Sequence, residues 1–465
     1  MKANTNYWQK IVAFLPWLAL FVLYIAVRFY KLESRINFDW DQNRDAMVAW
    51  DILKLHKLTL LGPRVVGAEG FFLAPYYYYL LVPFYAFLNM SPYAIVLFLF
   101  AVQFAYFFLA VYVIGALFSR KIAFVFLLLS AVPYNLLSFD TTAWNPALIP
   151  LGVLCLWLLL FQSMSQNHSL KWVLFIGFTI GVFTNFHIQF LFVGIFALIF
   201  IVLKLVEKKT HLYQIALNFV SFLLGFFLTF LPLLFFDLRH NFLNSKLIIR
   251  FFLHDETVVK TGPKAFFPVL TNFMEFLTFA KYPFLLGILL FLLGVIMIKF
   301  TKDKQPFTSL FSKASLFMFT LTFLGFAFYQ KRPSEYYFYF LAPYIFLFLS
   351  LALTKMPRII LIIFLIIYYL FNLNKLWPQY APSMFGLKMK NDLVQTMKAV
   401  GEGKHYNVTF RTPPGRNFGY EYLLLYNKIN STNDWSDPLM EITSPPTMED
   451  IPFGEYGLFI PKELR

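Results

Sequence analysis

From Pro92 to Phe118 the chain reads PYAIVLFLFAVQFAYFFLAVYVIGALF, without one Asp, Glu, Lys or Arg. About 20 mostly apolar residues suffice to cross the hydrocarbon core of a bilayer as a helix. Inside lipid, a helix is one of only two ways to satisfy every backbone N–H and C=O. Runs of this kind recur at roughly 11–31, 92–118, 122–139, 147–163, 170–186, 188–205, 213–236, 283–300, 314–330, 336–354 and 357–373. They predict about eleven membrane spans in a mainly α, polytopic transmembrane bundle. The composition agrees: 59% of the residues are hydrophobic and 14% charged, where a soluble domain carries roughly 25% charged residues. The one cysteine, Cys155, lies mid-span and allows neither an intramolecular disulfide nor a cysteine metal cluster.

The basic residues set an orientation. With the N-terminus inside, the cytoplasmic loops are SRK (119–121), QSMSQNHSLK (162–171), KLVEKKTH (204–211), KFTKDKQPFTSLFSK (299–313) and TKMPR (354–358), each with Lys or Arg. The net charge of +15 then belongs to cytoplasmic loops that face anionic membrane lipid, and no nucleic-acid partner is expected. The first span is read as an anchor, because RFYKLESR offers no small-residue cleavage site. PYYYYLLVPFYAFLNM (75–90) is apolar but short, with five tyrosines and a second proline. Counting it as a span would put every later basic loop outside. It is read as an interfacial or re-entrant helix in a long first external loop, 33–91.

This orientation collects the unusual polar residues on one side. The first external loop holds FDWDQNRDA, with Asp39, Asp41, Arg44 and Asp45, and further on Arg64. The second is SFDTTAWNP, with Asp140 and Asn145. The third is the tight turn NFHIQ, with His187 and Gln189. The fourth, from 236 to 282, brings Asp237, Arg239 and His240, and the fifth, QKRPSEYYFYF, brings Arg332, Glu335, Tyr336 and Tyr337. Any chemistry is therefore expected outside the cytoplasm. Asp41 and Arg44, three residues apart, share a face if this stretch is helical. A carboxylate takes a proton from an attacking hydroxyl, and a guanidinium holds phosphate oxygens bidentately. Those are the two needs of transfer from a sugar phosphate.

At these residues the chain resembles the GT-C glycosyltransferases, integral membrane enzymes that use lipid-phosphate sugars, and within them the protein O-mannosyltransferase and aminoarabinose-transferase group. The residues that carry the resemblance are DQNRDA, then LLGPRVVG, then GFFLAPYYYYLLVPFYAF, followed by SFDTTAWNPAL, LPLLFFDLRHNFLNSK and RPSEYYFYFLAP. It spans about residues 1–375 and implies a polyprenyl-phosphate sugar donor, an acceptor hydroxyl and an inverting displacement. Asp41 matches the base that activates the acceptor, and Arg44 the arginine that meets donor phosphate. The family's Glu after the aspartate is Gln42 here. A lysine that some relatives place before the interfacial helix is Ala74 here. Phosphate charge would then fall also to Arg64, Arg239 and Arg332.

Substrate contacts are expected from Asp39, Asp140, Asn145, His187, Gln189, Asp237, Tyr336 and Tyr337. Asp140 and Asn145 compete for the second-loop role. His187 reads either as a helix-hairpin cap or as a donor contact. The tyrosines read as an aromatic belt or as phosphate contacts, and Asp39 and Asp45 as supporting groups. Asp39, Asp41 and Asp140 offer oxygen ligands for a divalent metal, but arginine can meet the leaving phosphate, so no metal or other cofactor is expected. A transporter or lipid flippase is the alternative. It calls for charged residues in mid-span and internal repeats, and the sequence displays neither. A glycan polymerase or ligase is a third reading.

After about residue 375 the composition turns soluble-like. LWPQYAPSMFGLK is a linker, and 376–465 is expected to form a small extracytoplasmic α/β domain. Its elements are a helix in DLVQTMKAVGEGKHY, a strand in YNVTFRTP, a helix in FGYEYLLLYNK and a final strand YGLFIP.

Overall fold

The computed structural model describes residues 2–65, 70–165, 170–253, 263–277, 306–329, 333–383, 385–429 and 437–464. Among these, seven helices are long and apolar enough to cross a membrane, or up to nine if each of two bent pairs is one span. They make the chain a multi-pass membrane protein. The expected eleven divide accordingly. Seven are the long helices, two are the bent pairs, and 170–186 forms only the 15-residue helix Leu170–Thr184. The span expected at 283–300 lies outside the described residues. A further apolar helix, Phe266–Leu277, was not read from the sequence.

The bent pairs are places where proline interrupts an apolar run. Arg120–Ala131 and Tyr134–Asp140 meet at 87°, and Leu212–Leu228 and Leu231–Arg239 at 59°. Pro133 has no N–H, so the carbonyl four residues earlier loses its helical partner. That carbonyl is Leu129 O, and the Tyr368 hydroxyl donates to it at 2.7 Å. Arg28 donates to Ser130 O at 2.8 Å and to Ala131 O at 3.0 Å. At the second break, beside Pro232, the Tyr76 hydroxyl donates to Thr229 O at 2.7 Å. Broken helices persist at membrane depth only where neighbours satisfy the freed backbone. Elsewhere the bundle closes by direct backbone approach. A Cβ on Gly177 would lie 2.1 Å from Phe222 O, and one on Gly225 2.1 Å from Leu174 O. The helices Leu170–Thr184 and Leu212–Leu228 thus pack through their glycines.

Two helices stand in the first loop. Trp40–Lys54 has 15 residues. Tyr76–Phe87 has 12, about 18 Å at 1.5 Å per residue, too short for a core about 30 Å thick. Between them a small antiparallel turn is held by Gly62 N–H to Leu73 O (2.7 Å), Val65 N–H to Phe71 O (2.8 Å) and Leu73 N–H to Pro63 O (3.1 Å). The basic short connections gather at the other end of the bundle, where Lys121 reaches Thr354 O (2.8 Å) and Lys313 pairs with Glu207 (2.8 Å).

The C-terminal domain has helices Leu387–Val400 and Tyr420–Tyr426. Its sheet contains β1 (Asn407–Arg411), β2 (Leu439–Thr443), β3 (Ile451–Phe453) and β4 (Tyr456–Phe459), in the order β1-β2-β4-β3. β1 and β2 run parallel and the other pairs antiparallel. The sequence reading found β1 and β4. It missed β2, and also β3, a three-residue edge strand around Pro452 that carries little strand signal.

Candidate active site

The Trp40–Lys54 helix begins at Asp39, its N-cap. The pattern D-x-x-Q writes that start into the sequence. Gln42 Oε1 accepts from Asp39 N–H at 3.1 Å, and its Nε2 donates to Ala143 O in the second loop at 2.8 Å. Gln42, read as the loss of a family carboxylate, is therefore a buried brace between two loops.

One turn on, Arg44 sits between two carboxylates. Its Nη1 lies 2.8 Å from Asp41 Oδ1, and its Nε and Nη2 lie 2.9 and 2.6 Å from Asp45 Oδ1. The two acids differ sharply. The Asp41 side chain is 42% exposed and that of Asp45 1%. Burial pushes the Asp45 carboxyl up to about 7, against the opposing pull of Arg44. Asp45 Oδ2 and the neighbouring Tyr77 hydroxyl are buried without a hydrogen-bond partner. The guanidinium also faces the Tyr78 ring, 6.0 Å from its centroid.

The other loops close on this cluster. Tyr336 lies within electrostatic reach of Asp41. Its ring packs against Trp144 (4.7 Å), Tyr337 (4.9 Å) and His187 (5.3 Å). Burial pulls His187 down to about 3, so it is a neutral imidazole near pH 7. Asn145 Nδ2 donates to Phe186 O at 2.5 Å, tying the second loop to the third. Two asparagines clamp the first loop. Asn185 Oδ1 accepts from Ala74 N–H at 2.9 Å. Asn244 takes Phe72 N–H at 2.7 Å and gives to Phe72 O at 3.1 Å. Neither asparagine was singled out from the sequence, although Asn185 stands in the NFHIQ turn that was.

The structure thus brings together Asp41, Arg44, Asp45, Asn145, His187, Tyr336 and Tyr337. It sends other candidates elsewhere. Asp140 is paired with Arg28 at 2.5 Å and accepts from the Tyr339 hydroxyl, deep in the bundle. Asp237 is a helix cap, taking Asn244 N–H at 2.7 Å and the Ser245 backbone and hydroxyl at 3.0 and 2.6 Å. Arg64 is exposed on the small turn and donates to Gly70 O at 2.8 Å. Arg239 is exposed at a helix end. Gln189 starts the Phe190–Glu207 helix, with its Oε1 buried and unpartnered. Arg332 lies outside the described residues. Asp39, Asp41 and Asp140 are not assembled as a metal-ligand set. Among the described residues no three of His, Cys, Asp and Glu are placed to hold a metal ion.

The C-terminal domain rests on the same helix. Asn43 Nδ2 donates to Glu421 Oε2 at 3.1 Å and its Oδ1 accepts from Tyr422 N–H at 2.9 Å. The Tyr422 hydroxyl donates to Met90 O at 2.5 Å. Lys390 donates to Phe38 O (2.9 Å) and to Phe418 O (2.7 Å), linking the domain to the residue before Asp39.

No family model and no curated protein match the chain. Solved structures do. The chain aligns with ArnT from Cupriavidus metallidurans bound to undecaprenyl phosphate over 95% of its own length and 97% of that protein, at TM-score 0.57 and 12% identity. The chain has the ArnT fold. The apo state of ArnT aligns over 96% and 98% at TM-score 0.58 and 11% identity. The archaeal oligosaccharyltransferase AglB from Archaeoglobus fulgidus, in complex with an inhibitory peptide and a dolichol-phosphate, aligns over 93% of this chain and 61% of its own at TM-score 0.47 and 12% identity. At these identities the likeness to ArnT shows the fold alone.

Proposed function

We propose that this chain is a membrane glycosyltransferase that moves a sugar from a polyprenyl-phosphate donor to an acceptor hydroxyl on the extracytoplasmic side. The observation that carries this reading is the Asp41–Arg44–Asp45 cluster, set beside His187 and Tyr336 where the loops of a GT-C fold converge. A half-exposed carboxylate next to a guanidinium suits one displacement. Asp41 takes the proton of the acceptor hydroxyl, the oxygen bonds to C1, and the C1–O bond to phosphate breaks with inversion. The departing phosphate takes the negative charge, and Arg44 meets it. ArnT was solved with undecaprenyl phosphate, which supports a lipid-linked donor here. The gathering of basic short loops at the far end of the bundle supports placing the site outside the cytoplasm. Metal-free chemistry goes with this reading.

Arg44 is already shared by two carboxylates, so donor phosphate must displace one of them. Protonation of Asp45 makes that exchange easier. The Asp45 carboxyl, rather than a second arginine, then governs how available Arg44 is. The test incubates purified protein with a panel of polyprenyl-phosphate sugars and follows release of free polyprenyl phosphate. Turnover by the wild type and its collapse in Asp41→Asn is the expected result. Retained turnover in Asp41→Asn would overturn the assignment of Asp41 as the base.

A further inference from the structure

A groove of about 520 Å³ lies where the bundle, the first loop and the linker to the C-terminal domain meet. Its polar lining comes from three stretches: Arg35 and Asn37, then Ser138 and Thr142, then Gln379 and Ser383. Its volume is within the range of small-molecule sites, which favour such domain junctions.

The walls are tied together without a ligand. Ser383 N–H donates to Ser34 O at 2.9 Å, and its hydroxyl reaches Asn37 Oδ1 at 2.5 Å. Arg35 donates to Tyr30 O at 3.0 Å and to Arg28 O at 2.7 Å. Thr142 donates to Ser138 O at 2.7 Å, and the Tyr380 hydroxyl to Val27 O at 2.9 Å. A preformed groove spends little binding energy on ordering its walls.

The chemistry of the lining selects an occupant. Thr142 gives its hydroxyl proton to Ser138 O and keeps its lone pairs for a ligand, while Ser383 Oγ, which accepts Phe385 N–H at 3.2 Å, keeps one. The amides of Asn37 and Gln379 offer both donors and acceptors. Arg35 Nη1 takes no part in the bonds above, and among the described residues the lining contains no acidic side chain. Phe385, Pro378 and Pro382 add rigid apolar surface. Scattered hydroxyl and amide partners beside rigid apolar walls match a sugar ring, with its hydroxyl rim and apolar faces. An acyl or prenyl chain calls for a continuous apolar trough, which this lining does not provide.

Two of the groove's wall residues run on along the chain to the site helix and its brace. Thr142 precedes Ala143, whose carbonyl holds Gln42, and Asn37 stands two residues before Asp39. We infer that this groove is the acceptor site and that the acceptor is a hydroxyl-rich glycan, one hydroxyl of which is presented to Asp41. The inference rests on the transferase reading above.

The test uses the full-length protein in lipid nanodiscs and two separate probes, undecaprenyl phosphate and an array of immobilised oligosaccharides. Ser138→Trp and Gln379→Trp fill the groove from opposite walls, at side chains that are not buried. The wild type is expected to bind glycans on the array. Each variant should weaken that binding at least about tenfold, close to 1.4 kcal/mol, with undecaprenyl phosphate affinity unchanged. A wild type that retains no glycan, or glycan binding that survives both substitutions, overturns the assignment. So does retention of peptides in place of glycans. Failure to bind undecaprenyl phosphate would instead sink the transferase reading itself, and the two failures are told apart by the two probes.

Discussion

Arg28 and Asp140 form an ion pair, Nη2 to Oδ2 at 2.5 Å, with both side chains buried. The second Asp140 oxygen accepts from Tyr339, and Arg28 Nη1 and Nη2 also donate to Ala131 O and Ser130 O in the broken helix at Pro133. This carboxylate is therefore spent on holding a cation inside the bundle. Asp140→Asn should leave Arg28 uncompensated, at a cost of about 3–5 kcal/mol. The expected result is a large drop in thermal stability of the purified protein, with activity lost alongside it. An Asp140→Asn variant that unfolds like the wild type but does not turn over would give Asp140 a chemical role.

Asp41 predicts the opposite pattern. Its side chain is 42% exposed and its pairing with Arg44 is partly solvated, and such pairs contribute about 0–1 kcal/mol. Asp41→Asn should fold and melt like the wild type and still bind undecaprenyl phosphate. Release of polyprenyl phosphate from a sugar donor should fall at least about a hundredfold, the scale of losing a general base.

These two aspartates mark how far the sequence could be read. In the sequence both fall in loops between apolar runs, and composition treats them alike. What separates them is Arg28, which closes on Asp140 from the end of the first apolar run. The runs themselves were legible because length and charge depletion are local properties. The breaks at Pro133 and Pro232 were not, because a proline bends or ends a helix according to which neighbours catch its freed carbonyls. Here those neighbours are Arg28, Tyr368 and Tyr76, all remote in sequence. Gln42 was visible as a departure from a family pattern, but its brace to Ala143 exists only once two loops meet. The helix start at Asp39 was written locally, in Asp39 and Gln42. The clamps of Asn185 and Asn244 on Phe72 and Ala74 join segments over a hundred positions apart and leave no local trace.

Asp45 makes the cluster sensitive to pH. Its folded pKa, about 7, lies above the ordinary carboxylate value. The folded state therefore holds more protons between about pH 4 and 7, and the stability due to Asp45 is lost as the pH rises through 7. Above that point the ionised carboxylate also competes with donor phosphate for Arg44. Asp45→Asn removes the competition. Its advantage over the wild type in undecaprenyl phosphate affinity should grow between pH 6 and pH 8, by about threefold to tenfold, or roughly 0.7–1.4 kcal/mol. Titration calorimetry at the two pH values checks this, and equal pH dependence of the two proteins would count against it.

Lys390 links the C-terminal domain to the site helix and makes the last prediction. Its ammonium is buried, donates to Phe38 O and Phe418 O, and faces the rings of Phe385, Tyr420 and Tyr456. Burial pulls its pKa down to about 8, and Asp39 pulls it partly back up. The unfolded chain then holds more protons between about pH 8 and 10.5, so this lysine's share of stability improves as pH rises through that window. Lys390→Met abolishes the slope and takes the ammonium from Phe38 O and Phe418 O, at about 1–3 kcal/mol for the buried Phe38 carbonyl. If the domain positions Asp39 and the helix behind it, amide hydrogen exchange across Trp40–Lys54 should quicken in the variant. Turnover should drop about tenfold or more, while undecaprenyl phosphate affinity holds, because Arg44 is left intact. Unchanged exchange in that helix would mean that the domain only covers the loop and does not set its geometry.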